Sequence, residues 1–266
     1  MASNGVVVEW RPAQMLQGRD VAPDFALLIL NQPLRNGVNL RKLWRSSSLR
    51  IAADGGANRL HELSSFQGKF SNLQVIIGDL DSLKPSVRDF YTSQPTPARI
   101  IQEADQDSTD FGKAVNWIRN KHPGGMDIVA LGGIGGRVDQ GIRQLHEMYM
   151  FQQDPSYAAG RLYLLSGSSM TFLLKTGSHH IRVREDEDNE ANVFGKHVGI
   201  IPLREPSRIT TRGLKWDVTD WETELAGGKL STSNHVLPET RWVKVETTKD
   251  VLFTISLAKV DGEDDA

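Results

Sequence analysis

The feature that most restricts the fold of this chain is a series of short apolar runs in its first 165 residues. These runs are residues 25–30, 49–53, 74–77, 99–101, 127–131 and 161–165. Continuous apolar runs of this length are typical of parallel strands that are covered on both faces. Between them, residues 110–120 and 137–151 carry apolar side chains at helical spacing, and in the second segment Val138, Ile142 and Leu145 share one face. The alternation predicts an α/β domain with a mainly parallel sheet and flanking helices.

The second part of the chain has a different sequence pattern. After about residue 170, short β-branched or alternating runs are separated by Gly, Pro, Asn and Asp, a pattern that predicts antiparallel strands. The candidate strands are residues 170–175, 178–184, 197–203, 206–211, 229–233, 241–246 and 250–257. We therefore place a domain boundary between an α/β domain at 1–175 and an all-β domain at 176–266. The acidic segments 185–192 and 261–266 are expected to be exposed.

Charge and composition argue against several classes of protein. The 31 Lys and Arg residues and the 33 Asp and Glu residues give a net charge of −2, so no overall positive field attracts nucleic acid. The chain has no cysteine, which excludes disulfides and a cysteine nucleophile and favours a reducing compartment such as the cytoplasm. Its apolar runs are far shorter than the roughly 20 residues that cross a bilayer. Neither a nucleic-acid nor a membrane partner is expected.

The stretch 75–82, VIIGDLDS, is the first candidate site. Asp79 and Asp81 follow a buried strand and lie two residues apart, so in an extended segment both carboxylates point to the same side. They would lie beyond the C-terminal end of the strand, where open α/β sheets bind ligands. Two carboxylates there suit Mg²⁺, which completes its coordination shell with water and phosphate oxygens. A solvated turn, with Asp as a turn former, explains this stretch equally well.

A second acidic stretch, DQDSTDFGK at 105–113, leads into the first predicted helix. Asp107 or Thr109 can cap this helix, so that Asp110 lies in its first turn and Lys113 one turn later. Asp110 is a candidate third ligand of the same metal, and Lys113 is placed to balance phosphate charge. Ordinary capping explains any one of these acids, but one cap does not require three acids in six residues.

Two glycine-rich turns follow strands in the same way, ADGGAN at 53–58 and LGGIGGRVDQ at 131–140. In the second turn, four glycines allow backbone N–H groups to approach an anion, and the start of the next helix adds its positive end. Arg137 follows these glycines and can bind phosphate through its forked guanidinium group. Neither turn is a Walker A motif, and the second lacks the GxGxxG spacing. Each turn alone is explained as readily by local geometry.

These stretches occur in one order, followed by GLKW at 213–216 and STSN at 231–234. That order resembles the eukaryotic, fungal-like thiamine pyrophosphokinases over about residues 50–235. The resemblance implies a homodimer in which each subunit has an α/β ATP-binding catalytic domain followed by a thiamine-binding β-sandwich. It implies transfer of the pyrophosphoryl group of ATP to the hydroxyl group of thiamine, with Mg²⁺ as cofactor. The active site would lie between the α/β domain of one subunit and the β domain of its partner.

The resemblance also implies a role for each matching residue. Asp79, Asp81 and Asp110 match the Mg²⁺-binding acids and, with Asp107, form the catalytic set. The positions around ATP and its phosphates are Asp54, Lys113, Gly133, Arg137 and Asp139. The positions assigned to thiamine are Gln106, Thr109, Trp216, Ser231, Ser233 and Asn234. Whether Asp107 or Asp110 orients or deprotonates the thiamine hydroxyl stays open.

Two other functions fit the acids. A Mg²⁺-dependent nucleotide phosphohydrolase would use them with water as the nucleophile, but it leaves the GLKW and STSN stretches unexplained. A non-catalytic regulator that binds thiamine or nucleotide would need fewer metal ligands than this chain carries. The transferase is therefore the expected function.

Overall fold

The computed structural model describes residues 6–17, 24–34, 37–67, 70–184 and 192–258. The acidic loop predicted at 185–192, except its last residue, and the tail at 261–266 lie outside these residues. The chain divides into an α/β unit, Asp20–Gly167, and a strand-rich unit, Met1–Arg19 with Ser168–Ala266. This division differs from a boundary at 175/176 because the first strand of the chain and the strand that begins at Ser169 both pair with strands of the strand-rich unit.

The elements are numbered along the chain. The chain begins with β1 (Val7–Trp10) and α1 (Gln14–Gln17), which belong to the strand-rich unit. The α/β unit contains β2 (Phe25–Ile29), α2 (Gly37–Ser46), β3 (Leu49–Ala53), α3 (Gly56–Gln67), β4 (Val75–Gly78), α4 (Pro85–Thr92), β5 (Arg99–Gln102), α5 (Asp110–Lys121), β6 (Asp127–Leu131), α6 (Val138–Phe151) and β7 (Leu162–Leu165). The strand-rich unit continues with β8 (Ser169–Leu174), β9 (Gly177–Arg182), β10 (Phe194–Ile201), β11 (Ser207–Arg212), β12 (Trp221–Thr223), β13 (Ser231–His235), β14 (Trp242–Thr247) and β15 (Val251–Leu257). None of the helices in the described ranges is long and apolar enough to span a membrane.

The α/β unit is built on strands that run parallel in the order β7-β6-β2-β3-β4-β5. Every residue of β2, β4 and β7 is buried, as expected for strands that are covered on both faces. The mainly parallel sheet predicted from the apolar runs is therefore confirmed. The chain passes outward from β2 to β5 and then returns to β6 on the other side of β2, so the loops after β2 and β6 diverge. Such a point opens a crevice at the carboxyl edge of the sheet.

Both predicted helices are present, but only one buries the predicted face. The buried residues of α5 include Phe111, Ala114, Val115 and Ile118, which are the apolar side chains at helical spacing. The face predicted for α6 is wrong, because Val138 is 77% exposed and Ile142 is 62% exposed. The helix turns Gln144 and Glu147 inward instead. Beside the fully buried Met148, this inward face makes polar contacts, since the Gln144 side chain accepts a hydrogen bond from the backbone N–H of Ile134.

The strand-rich unit is a sandwich of two sheets. One sheet has the order β1-β9-β14-β11-β12, and in the other β13, β10, β15 and β8 are successive neighbours. Trp10 of β1 stacks on Phe172 of β8 with ring centroids 4.6 Å apart, and both side chains are fully buried between the sheets. The all-β prediction is confirmed, although the sequence did not reveal β1 or β12. Within the described residues of this unit, β1 and β9 pair in parallel and the other strand pairs are antiparallel.

Candidate active site

Three carboxylates converge at the carboxyl edge of the α/β sheet. Asp54 follows β3, Asp79 follows β4, and Asp110 is the first residue of α5, the helix after β5. One oxygen of each residue lies within 4.8 Å of the oxygens of the other two. Because parallel strands end at the same edge of a sheet, residues far apart in sequence meet here. This group, the acid cluster, offers hard oxygen ligands for a divalent cation.

Gly78, the last residue of β4, makes this convergence possible. A Cβ atom at this position would lie 2.8 Å from Asp110 Oδ1 and 2.8 Å from Asp54 Cβ, which is closer than packed side chains allow. The backbone N–H of the next residue, Asp79, donates a hydrogen bond to Asp110 Oδ1 over 3.2 Å. The glycine of the GDLDS stretch is therefore required by the packing of two aspartate side chains against its Cα.

Burial and repulsion both oppose the ionised state of the acid cluster. Burial raises the pKa of Asp54, and the neighbouring carboxylates Asp110 and Asp79 raise it further, although a hydrogen bond from the backbone N–H of Ser82 acts in the opposite direction. Burial and the charge of Asp79 likewise raise the pKa of Asp110. Asp54 Oδ1 is buried and has no hydrogen-bond partner among the described residues. A cation between these oxygens would remove both penalties.

Asp81 and Asp107, two of the predicted catalytic acids, lie outside the acid cluster. Both are exposed. Leu80 has a φ of 70°, so the segment is not extended, and the expectation that Asp79 and Asp81 point to the same side does not apply. The backbone N–H of Asp81 donates to Asp79 Oδ1 over 3.1 Å. The structure thus brings Asp54, predicted at the ATP phosphates, into the place expected of Asp81.

Thr109 fixes the start of α5. Its hydroxyl oxygen accepts a hydrogen bond from the backbone N–H of Gly112 over 3.0 Å, so Thr109, and not Asp107, is the cap. Lys113, one turn later, is buried, with its Nζ 3.4 Å from Asp110 Oδ1. Its ammonium group therefore balances the charge of the acid cluster from inside the protein.

A cavity of about 270 Å³ opens at the acid cluster. Its lining includes Asp79 and Asp110, together with Gln106 and Thr109, which the resemblance assigned to thiamine. Its other polar lining residues are Asn31, Gln32, Ser108, Gln140, Arg143, Gln144 and Glu147. Its apolar lining residues are Leu30, Ala53 and Phe111. This predominance of polar groups suits a charged, hydrogen-bonding ligand rather than a hydrocarbon.

The glycine-rich turn after β6 is held by the protein itself. The backbone N–H groups of Gly132 and Gly133 donate to the carbonyl of Leu165 over 3.0 and 3.1 Å, and that of Ile134 donates to Gln144 Oε1 over 2.7 Å. These three donors are therefore engaged within the protein and do not form the anion cradle expected from the sequence. A Cβ atom at Gly133 would lie 2.8 Å from a side chain of β7, so this glycine allows the turn to pack closely.

Arg137 and Asp139, both predicted near ATP, form an ion pair with each other. The guanidinium donates to both carboxylate oxygens, over 3.0 and 2.5 Å. This hydrogen bonding raises the pKa of Arg137 and lowers the pKa of Asp139. Both side chains are exposed. A phosphate group that binds Arg137 therefore has to compete with Asp139 for the guanidinium.

In the strand-rich unit, Trp216 is an exposed aromatic residue with a fixed backbone. Its indole side chain is 53% exposed. Its backbone N–H donates to Asn234 Oδ1 over 3.2 Å, and Asn234 Nδ2 donates to its carbonyl over 2.9 Å. Lys215 Nζ lies 4.7 Å from the centre of the indole ring, and the His235 ring centroid lies 5.1 Å away. An indole held in this way is available to stack on a flat ligand.

The remaining residues assigned to thiamine lie beside Trp216. Ser231 and Ser233 are on β13 with Asn234. Ser231 is half-buried, whereas Ser233 is exposed and has a φ of 61°. Asp217 accepts a hydrogen bond from the backbone N–H of Gly213 over 2.9 Å and so closes the GLKW turn. Because Asn234 joins β13 to this turn, the GLKW and STSN stretches form one local structure.

Sequence reasoning missed the contribution of α6 to the cavity. Gln140, Arg143, Gln144 and Glu147 all line it, at the spacing that places residues on one face of a helix. Polar residues at this spacing, directly after a glycine-rich turn, were the available signal. The apolar stripe that begins at Val138 indicated the opposite face.

Comparison with known proteins identifies the family. A family profile described as "Thiamin pyrophosphokinase, catalytic domain" matches residues 40–158, and one described as "Thiamin pyrophosphokinase, vitamin B1 binding domain" matches residues 178–252. Thiamine pyrophosphokinase 1 of Arabidopsis thaliana is 38% identical over 251 residues, which covers 88% of this chain and 87% of that protein. The solved structure of thiamin pyrophosphokinase from Candida albicans has a TM-score of 0.80 at 25% identity and covers 97% of this chain and 95% of its own. The chain therefore belongs to the thiamine pyrophosphokinase family.

Proposed function

We infer that this chain is an ATP-dependent transferase, a thiamine pyrophosphokinase that moves the pyrophosphoryl group of ATP onto the hydroxyl group of thiamine. The products are AMP and thiamine diphosphate. One observation carries this function: the catalytic profile matches within the α/β unit and the vitamin-binding profile matches within the strand-rich unit. The polar cavity beside the acid cluster suits ATP when a divalent cation separates the carboxylates from the phosphates.

We propose Mg²⁺ as the metal that this reaction uses, held by Asp54, Asp79 and Asp110. The acid cluster fits such an ion, because carboxylates are hard ligands and the buried Asp54 Oδ1 lacks a partner among the described residues. When bound, Mg²⁺ neutralises charge on the polyphosphate chain. Asp81, exposed and next but one to Asp79, stays a further candidate ligand.

The side chains of the cavity position the reactants, which is the main requirement of phosphoryl-type transfer. The thiamine hydroxyl oxygen forms a bond to the β-phosphorus of ATP, and the bond from that phosphorus to the α,β-bridging oxygen breaks, so AMP leaves with the electron pair. Of the two carboxylates considered for the hydroxyl proton, Asp110 lines the cavity and Asp107 does not. We propose that Asp110 orients this hydroxyl and accepts its proton.

We further propose that thiamine stacks on Trp216 and that the active form is a homodimer with shared sites. The exposure of the Trp216 indole supports the first part. The exposed apolar side chains of Val138 and Ile142 on α6 support the second, because a second copy of the chain would remove them from water. In this arrangement the acid cluster of one subunit acts on thiamine held by the partner.

One assay separates this function from its alternatives. The full chain is incubated with ATP and Mg²⁺, with and without thiamine, and AMP and inorganic phosphate are followed. We expect AMP only when thiamine is present, loss of turnover in Asp110→Asn, and normal turnover in Asp89→Asn, an exposed residue of α4. Phosphate release without thiamine would identify a phosphohydrolase instead, and ligand binding without any release would identify a regulator.

A further inference from the structure

Arg143 and Glu147 form an ion pair on the face of α6 that lines the cavity. Arg143 Nε donates to Glu147 Oε1 over 2.9 Å. The Arg143 side chain is 44% exposed, whereas the Glu147 side chain is 6% exposed. Of the residues that line this cavity, Arg143 alone carries a full positive charge within the part of the chain that the structure describes.

Helix stability does not explain this pair. An arginine four residues before a glutamate is the weaker order on a helix, and a carboxylate in the C-terminal half opposes the helix dipole. Burying the carboxylate also costs free energy, and Glu147 Oε2 has no hydrogen-bond partner among the described residues. A pair with these costs in a ligand cavity points to a role in binding or catalysis.

Glu147 also connects Arg143 to the acid cluster. Its Oε1 accepts a hydrogen bond from Thr109 Oγ1 over 2.6 Å, and Thr109 caps α5, the helix that begins with Asp110. One carboxylate oxygen thus fixes a guanidinium on α6 and the start of α5. The Nε of Arg143 is used in this contact, which leaves the two terminal nitrogens for a ligand.

We propose that Arg143 binds the polyphosphate chain of the nucleotide and that Glu147 is the positioning residue that holds it there. This proposal rests on the proposed function, since it takes ATP as the ligand of this cavity. The two cations predicted for the phosphates are already engaged, Lys113 with Asp110 and Arg137 with Asp139. Arg143 presents a forked donor that suits two phosphate oxygens.

Substitution of Arg143 tests the first part. Calorimetric titration of the full chain with ATP and with adenosine, both with Mg²⁺, compares Arg143→Met with Arg143→Lys and with Arg88→Met, an exposed arginine of α4. We expect Arg143→Met to weaken the affinity for ATP by about ten- to hundredfold, because charge-assisted hydrogen bonds to phosphate are lost, and to leave the affinity for adenosine unchanged. Lysine should restore part of the affinity. Arg143→Gln provides the same comparison if the methionine variant does not fold.

A double-substitution cycle tests the second part. Glu147→Ala should weaken ATP binding in the wild-type background but have little further effect on ATP binding in Arg143→Met, because Glu147 acts through Arg143. A merely structural role would lower the melting temperature in both backgrounds without this coupling. The proposal would be overturned if Arg143→Met bound ATP as tightly as Arg88→Met does. That result would leave the proposed function intact as long as the wild-type chain releases AMP. A wild-type chain that releases no AMP would instead contradict the proposed function.

Discussion

Asp54→Asn separates the cost of the buried charge from the benefit of the metal. Because burial raises the pKa of Asp54, the folded protein binds its proton more tightly than the unfolded chain does. Stability therefore falls as pH rises from the usual carboxyl pKa through the raised value, and the cost is fully present above it. Asparagine removes this charge, and its amide oxygen can still accept the hydrogen bond from Ser82. We expect the metal-free variant to melt at a higher temperature than the metal-free wild type.

Addition of Mg²⁺ should reverse this order. At a concentration of about 100 times its Kd, a ligand that binds only the folded state contributes about 2.7 kcal/mol. In a protein of about this size, that corresponds to a rise of roughly 5–10 °C in melting temperature. Asp54→Asn retains only two carboxylates of the acid cluster, so its rise should be less than half as large.

Calorimetric melting at pH 7, with chelator and then across a Mg²⁺ titration, measures both effects. Asp89→Asn is the matched control, because this exposed acid of α4 lies outside the acid cluster. If Mg²⁺ raised the melting temperature of Asp54→Asn as much as that of the wild type, Asp54 would not be a metal ligand. If metal-free Asp54→Asn were less stable than the metal-free wild type, the favourable contacts of the Asp54 charge would outweigh the cost of burying it.

Three further predictions concern the site. Gly78→Ala should lower kcat about a hundredfold, because contacts of 2.8 Å with the new Cβ force the aspartate side chains apart. Gly124→Ala, with no atom within 4 Å of the new Cβ, should leave kcat unchanged in the same steady-state assay. Protons compete with Mg²⁺ for the carboxylates, and the pKa values of Asp54 and Asp110 are raised. As pH is lowered from 8 to 5, Mg²⁺ affinity should therefore begin to fall at a higher pH than it would for carboxyl groups with ordinary pKa values. An affinity that falls only near the ordinary carboxyl pKa would be inconsistent with this. Trp216→Ala should raise the thiamine KM about tenfold with ATP binding unchanged. At low thiamine, its coexpression with Asp110→Asn should give more activity than the two variants give separately, because a heterodimer with shared sites contains one site with both halves intact.

Much of the α/β unit was predictable because local and global preferences agree there. Each continuous apolar run became a strand, and all but the edge strand β5 are largely buried, as residues that suit burial on both faces predict. Asp79 was found because it follows such a run directly, and Asp110 because it lies in the first turn of a predicted helix. Asp54 was harder to assign to the metal, because the left-handed conformation of Leu80, which turns the chain away from an extended path, leaves no mark in the sequence.

The face of α6 shows a second limit of sequence reasoning. Apolar spacing indicated that Val138 and Ile142 pack inward, yet both are exposed. Two of the inward positions, Gln144 and Glu147, are polar because they serve a cavity and a turn, as Gln144 does for the backbone of Ile134. Periodicity reports which side chains avoid water, and it does not distinguish the core of one subunit from a surface that another molecule can cover.

Transfer of an intact pyrophosphoryl group is tested most directly by phosphorus NMR of the full chain with ATP, Mg²⁺ and thiamine. We expect AMP and thiamine diphosphate to appear in equal amounts, without ADP or inorganic phosphate, and neither product to form with Asp110→Asn. ADP together with thiamine monophosphate would show transfer of a single phosphoryl group. Phosphate release with thiamine unchanged would show hydrolysis, and either result would contradict the assignment of this chain as a thiamine pyrophosphokinase.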